Sequence, residues 1–106
     1  MDIAQYIKEY KERSLKALES ISEAEVASLG RLLETAISEN KQVFLCGNGG
    51  SAATATHFAN DLGKGASLGR KKRFRVVSLT DNVAWITALA NDTDYSKIFV
   101  EQLRNY

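Results

Sequence analysis

His57 and Asp61 are the residues of this sequence best suited to move a proton or hold a metal ion. His57 is the only histidine, and Asp61 follows it by four residues. On a helix that spacing puts imidazole and carboxylate on one face, with Thr54 joining them one turn earlier. Such a pair can do general acid–base work or offer two ligands to a metal. Just upstream lies Gly47-Asn48-Gly49-Gly50-Ser51. Glycines let a backbone turn sharply and approach a ligand closely. A helix that starts there presents free N–H groups and its positive dipole end to an anion. Taken singly, a His–Asp pair is often a local hydrogen bond and a Gly-Asn-Gly-Gly turn only a tight turn. In combination they suit chemistry on a phosphorylated substrate.

The elements that must position these groups can be read around them. Val43-Phe44-Leu45-Cys46 is an apolar run that reads as a buried parallel strand, with Cys46 a small core residue. Ser51 starts a helix whose stripe Ala55, Phe58, Ala59, Leu62 packs on the sheet. Residues 63–73 hold three glycines and Arg70-Lys71-Lys72-Arg73, and read as a mobile, solvated loop. Phe74 to Leu79 is a second strand, and Thr80-Asp81-Asn82 caps the next helix. There Val83, Ile86, Ala88 and Leu89 face the sheet, and Trp85 belongs to core or interface. Asn91-Asp92-Thr93 ends that helix. A last one carries Tyr95, Ile98, Phe99, Gln102, Leu103 and Tyr106 at helical spacing.

Upstream, residues 2–20 read as one amphipathic helix and Glu23–Glu39 as a second. The second opens on the capping box Ser22–Glu25 and stops at Asn40. Residues 1–41 are expected to form a helical hairpin whose apolar surface packs on another subunit. Residues 42–106 are expected to form the α/β part. Two strands joined by a helical crossover are parallel. Stable sheets usually have about 4–6 strands, so the α/β reading is of a domain that stops about half-way.

Composition narrows the classes. A net charge of +1 gives no general case for nucleic-acid or membrane binding. One cysteine makes no internal disulfide, which fits a reducing compartment. No apolar stretch reaches the roughly 18–20 residues of a membrane span. The N-terminus lacks the pattern of a signal peptide, so a cytoplasmic protein is expected.

The motif CGNGGSA at 46–52, then His57-Phe58-Ala59, an acid at 61 and the pair Asn91-Asp92, resembles the sugar isomerase (SIS) domain family. Within it the phosphoheptose isomerases are the most similar. The resemblance implies a three-layer α-β-α sandwich with a parallel, flavodoxin-like sheet, and N-terminal helices that help build a homotetramer. It implies isomerisation of sedoheptulose 7-phosphate to D-glycero-D-manno-heptose 7-phosphate through an enediol. Asn48, Gly49 and Gly50 then match the substrate loop, Ser51 a serine on phosphate, and Asn91 and Asp92 a substrate-contacting pair. His57 matches a zinc ligand. Asp61 stands where the family has a glutamate that acts as base and metal ligand. The catalytic and metal groups named by resemblance are therefore Asp61 and His57, with the remaining zinc ligands outside this chain. A non-catalytic SIS module is the alternative, either binding a sugar phosphate or scaffolding a protein, as in the DnaA initiator-associating protein. A further alternative is an inactive fragment. The acid retained at 61 favours the enzyme.

Overall fold

Asp2 opens the chain's first helix, its Oδ1 accepting from the N–H groups of Ala4 and Gln5 at 3.0 and 3.3 Å. Those are orphan donors that an N-cap carboxylate satisfies. This helix, α1, spans Ile3–Glu19 in a computed structural model that describes all residues from Met1 to Tyr106. Helix α2 runs Glu23–Ser38. Ser22 Oγ accepts from Glu25 N–H at 3.3 Å, the forward bond of the expected capping box. At its far end Asn40 takes a positive φ of 56°, and Lys41 N–H reaches back to Ala36 O at 2.8 Å. That is a Schellman closure with asparagine in the left-handed position. Neither α1 nor α2 buries a residue.

The chain divides into two compact units, Met1–Leu33 and Glu34–Tyr106. The second contains the sheet. Strand β1, Gln42–Leu45, pairs in parallel with β2, Arg75–Ser78, in the register Gln42↔Arg75 to Leu45↔Ser78. A further bond from Leu79 N–H to Leu45 O at 2.8 Å extends the ladder. Helix α3, Gly50–Asn60, is the crossover and packs on both strands. Its expected stripe is the one that turns inward: Ala55 and Leu62 are buried, Phe58 and Ala59 half-buried. Leu79 and Ile98 complete the buried apolar set.

Several expectations need correction. β1 is only half-buried along its length, with one strand beside it, and Cys46, one residue past that strand, is exposed rather than core. The segment after α3 is not a loose loop. It begins as a π turn, Asp61–Gly65, tight enough that a Cβ on Gly63 would sit 3.2 Å from Val76 Cγ1. Ser67 is fully buried and anchors the rest: its hydroxyl donates to Leu62 O at 2.7 Å and accepts from Phe74 N–H at 2.9 Å.

The basic run also has structural work. Lys72 Nζ donates to Ser38 O at 2.8 Å, and Arg75 donates to Asn40 O at 3.2 Å. Both cations satisfy carbonyls at the end of α2, where the helix dipole is negative. Helix α4, Val83–Asp92, starts on Asn82, whose Oδ1 accepts from Trp85 N–H at 2.9 Å. It packs mainly on the 3-10 turn Tyr95–Lys97 rather than on the sheet, and buries no residue. The expected last helix is this 3-10 turn followed by the short α5, Val100–Leu103. Gln102 lies in α5. It is buried, and its Nε2 donates both to Ile98 O and to Leu79 O at the end of β2. No helix is long and apolar enough to cross a membrane.

Candidate active site

The glycine loop sits on α3 so closely that residue 47 must lack a side chain. A Cβ on Gly47 would lie 2.5 Å from the carbonyl carbon and oxygen of Ser51. Gly49, with φ 54° and ψ −121°, is the N-cap, and the helix starts at Gly50, one residue before the expected Ser51. No side chain caps it. Ser51 N–H donates to Asn48 O at 3.0 Å, and Ala52 and Ala53 N–H donate to Gly49 O at 3.1 and 3.2 Å. So two of the expected anion-binding amides, those of Ser51 and Ala52, are turned into the loop itself, while the Ala53 bond is the first of the helix. The loop's residues Asn48, Gly49, Gly50 and Ser51 all face solvent.

One turn and more along α3, His57 Nε2 stands 3.4 Å from Asp61 Oδ1. Both side chains are largely exposed. With Ala53, Thr54 and Phe58 they line an open cleft of about 500 Å³. Thr54 shares the face but spends its hydroxyl on Gly50 O, at 3.1 Å. Asn60 Nδ2 also donates to Asp61 Oδ1, at 3.4 Å, so both neighbours use the same oxygen and Oδ2 is left to other partners. Asp61 is where the α-helix widens: its carbonyl accepts from Ala66 N–H at 2.7 Å, five residues on. Such π turns recur at functional sites.

The outer face of α3 is tied to the exit turn of β2. Thr56 Oγ1 donates to Asp81 Oδ1 at 2.5 Å, and Thr80 Oγ1 lies 3.3 Å from Thr56 Oγ1 and 2.6 Å from Ser78 Oγ. This chain of hydroxyls fixes the helix against the sheet's C-terminal end, where open α/β sheets bind ligands.

Asn91 and Asp92 are the last two residues of α4, both exposed, with Asn91 Nδ2 donating to Asp92 Oδ1 at 3.1 Å. They make no bond to His57 or Asp61. Their segment is connected to the loop by Tyr95, whose hydroxyl donates to Asn48 Oδ1 at 2.5 Å. Sequence reasoning placed Tyr95 in an apolar stripe and missed this role. The available signal was a polar-tipped aromatic four residues after Asn91, immediately following an aspartate able to cap a turn. That aspartate, Asp94, does cap it. Hydrogen bonds from the Ser96 side chain and the Ser96 N–H, helped by Lys97, hold its carboxyl below the usual aspartate range.

Metal binding can be tested on the donor set. No three His, Cys, Asp or Glu side chains converge anywhere in the chain. His57 and Asp61 are two donors, and a catalytic zinc normally takes three from protein. His57 and Asp61 would be two of the ligands of such an ion.

The sequence profile of the SIS domain matches residues 5–105. The chain belongs to the SIS domain family. Among curated relatives, a phosphoheptose isomerase of Helicobacter pylori strain 26695 is 39% identical over 94 residues, which is 89% of this chain and 48% of that protein. A probable phosphoheptose isomerase of Thermoplasma acidophilum is 33% identical over 91% of this chain and 52% of its own length. Among solved structures, a phosphoheptose isomerase from Francisella tularensis superimposes with a TM-score of 0.86 at 28% identity, over 97% of this chain and 55% of that one. The Neisseria gonorrhoeae enzyme gives 0.75 at 28% identity, over 97% and 52%. This SIS chain thus spans about half the length of the relatives it matches. The mixed helical and parallel-sheet fold expected from the sequence is the one these structures share.

Proposed function

We propose that this SIS chain supplies the substrate loop and the proton-transferring carboxylate of a phosphosugar isomerase, interconverting sedoheptulose 7-phosphate and D-glycero-D-manno-heptose 7-phosphate. The observation that carries it is the Asp61 carboxylate, paired with His57 in an open cleft on the helix that begins at the glycine loop. Aldose–ketose isomerisation moves a proton between adjacent carbons through an enediol. Asp61 Oδ2 takes the proton from one carbon and returns it to the other. His57, beside it, passes a proton to the carbonyl oxygen as the enediol forms and recovers one from the neighbouring hydroxyl as the enediol collapses to product. Asn48, Gly49, Gly50 and Ser51 hold the phosphate or sugar end, and Asn91 and Asp92 bond sugar hydroxyls. A zinc ion at His57 and Asp61 needs a further ligand from outside these residues; bound there, it would polarise the sugar carbonyl. Exposed Ile3, Ile7, Leu18 and Val26 on α1 and α2 support self-association, in this reading a tetramer. A sugar phosphate substrate fits a cytoplasmic setting.

The test is proton exchange. Sedoheptulose 7-phosphate is incubated with the chain in deuterated water, and label uptake at the reacting carbons is followed by NMR. The reading expects uptake that Asp61→Asn lowers by about 10²–10⁴-fold, the usual worth of a general base, with sugar-phosphate binding retained. An unchanged rate in the variant removes Asp61 as base. Binding without any uptake by the parent chain replaces the isomerase with a sugar-phosphate-binding module.

A further inference from the structure

Asn48 lies in an exposed loop with glycines on both sides, where a carboxamide would ordinarily turn freely. Here it is held from a distant element. Tyr95, 47 residues away, donates its hydroxyl proton to Asn48 Oδ1 at 2.5 Å. The donor itself stands on a fixed turn. Asp94 Oδ1 accepts from Ser96 N–H at 2.8 Å, Lys97 N–H donates to Asp94 O at 3.0 Å, and Ile98 next to the turn is 3% exposed. The Tyr95 residue is 58% exposed, so burial does not explain its place, and the hydroxyl bond is its specific contact.

A carboxamide has one acceptor oxygen and one NH2 donor. With the oxygen engaged by a hydroxyl, the free end is Nδ2, which no residue of the chain bonds. We propose that Tyr95 is a positioning residue for the ligand loop. It fixes the Asn48 carboxamide so that Nδ2 is presented as a donor to an oxygen of a sugar phosphate, the ligand class resting on the function proposed above. Tyr95 also ties the segment after Asn91 and Asp92 to the loop after β1, so the two candidate ligand-contacting stretches keep one spacing. Ordering a side chain before the ligand arrives removes part of the entropy cost of binding.

The experiment compares the chain with its Tyr95→Phe, Asn48→Asp and Asn48→Ala variants, isotope-labelled for NMR and titrated with sedoheptulose 7-phosphate. In the parent chain the Asn48 side-chain NH2 pair should be as rigid as the backbone, and in Tyr95→Phe it should become mobile, with the unfolding temperature unchanged. Affinity should fall about fivefold in Tyr95→Phe, the scale of one hydrogen bond. Asn48→Asp keeps the acceptor for Tyr95 but loses the donor, so it should lose affinity with the tyrosine contact intact. Adding Tyr95→Phe to Asn48→Ala should cost nothing more. An equally rigid NH2 pair in Tyr95→Phe overturns the proposal, as do additive losses in the double variant. If the parent chain binds no sedoheptulose 7-phosphate, the sugar-phosphate reading and the ligand assigned here both fall. The NH2 mobility then decides the Tyr95–Asn48 clamp separately.

Discussion

Gly47→Ala is the sharpest perturbation of the loop that leaves every candidate ligand-contacting side chain chemically unaltered. The added Cβ would meet Ser51 C and O at 2.5 Å and Ser51 Cβ at 2.8 Å. Two of these are backbone atoms, so no flexible side-chain tip can swing aside. Ordinary contact begins near 3.4 Å, so loop and first turn of α3 must separate by about 0.9 Å to relieve the overlap. Overpacking of this kind costs about 1–3 kcal/mol. In a domain of this size about 2 kcal/mol corresponds to a fall of roughly 8–16 °C in Tm. The displacement also moves Asn48 through Ser51 relative to His57 and Asp61. A misplacement of about 1 Å can cost a hundredfold in rate. Thermal unfolding followed by circular dichroism reads the first effect, and the Ser51 amide NMR shift reads the second. Gly50→Ala is the control, since a Cβ there meets nothing within 4 Å. If Gly47→Ala melts with the parent and leaves the Ser51 amide unmoved, the close packing of loop on helix is wrong.

Two further changes test the supporting elements. Gly30 lies inside α2 with open space around its Cβ position, so Gly30→Ala should stabilise that helix by about 1 kcal/mol, seen as a higher midpoint in far-ultraviolet melting; a lower midpoint contradicts the assignment. Asp94 has a carboxyl held below its usual range by the Ser96 hydrogen bonds, so its cap is fully in place above that range and is lost only as pH falls through the depressed value. The Ser96 amide shift, titrated with acid, should move with a midpoint below that of an ordinary aspartate and lose this step in Asp94→Asn; a midpoint at or above the ordinary value refutes the cap.

What the sequence disclosed of the fold was local. Ser22, Asn40 and Asn82 were readable as helix boundaries because each satisfies its helix end within a few residues. The stripe Ala55 and Leu62 was readable because it repeats at helical spacing. Two of the failures turn on side-chain bonds that residue types and spacing do not show. The run from Gly63 to Arg73 looked mobile by composition. It is ordered by the buried Ser67 hydroxyl, which joins Leu62 to Phe74, and by Lys72, which reaches Ser38. Similarly, the spacing of Tyr95 to Tyr106 suited one helix. Instead the 3-10 turn Tyr95–Lys97 and the short α5 share that stretch, with the Gln102 side chain bonded to Ile98 O and Leu79 O.

The same division runs through the site. Two residues four apart on a helix meet by geometry alone, and His57 and Asp61 do. That the loop must carry glycine at 47 is a matter of distance to Ser51, four residues on, and nothing in the residue types distinguishes Gly47 from Gly50 in this respect. The link between Asn48 and Tyr95 is harder still, because it requires the path of β1, β2 and α4 to be known first. It is also the link that makes the arrangement more than a list of motifs. Without it the glycine loop and the Asn91-Asp92 segment would be two separate exposed stretches. With it they are fixed to one another on the same unit as the His57–Asp61 cleft. A ligand that needs both a phosphate-sized contact and several hydroxyl contacts requires that kind of fixed spacing, since each contact made by a loosely held group would have to offset its own ordering cost.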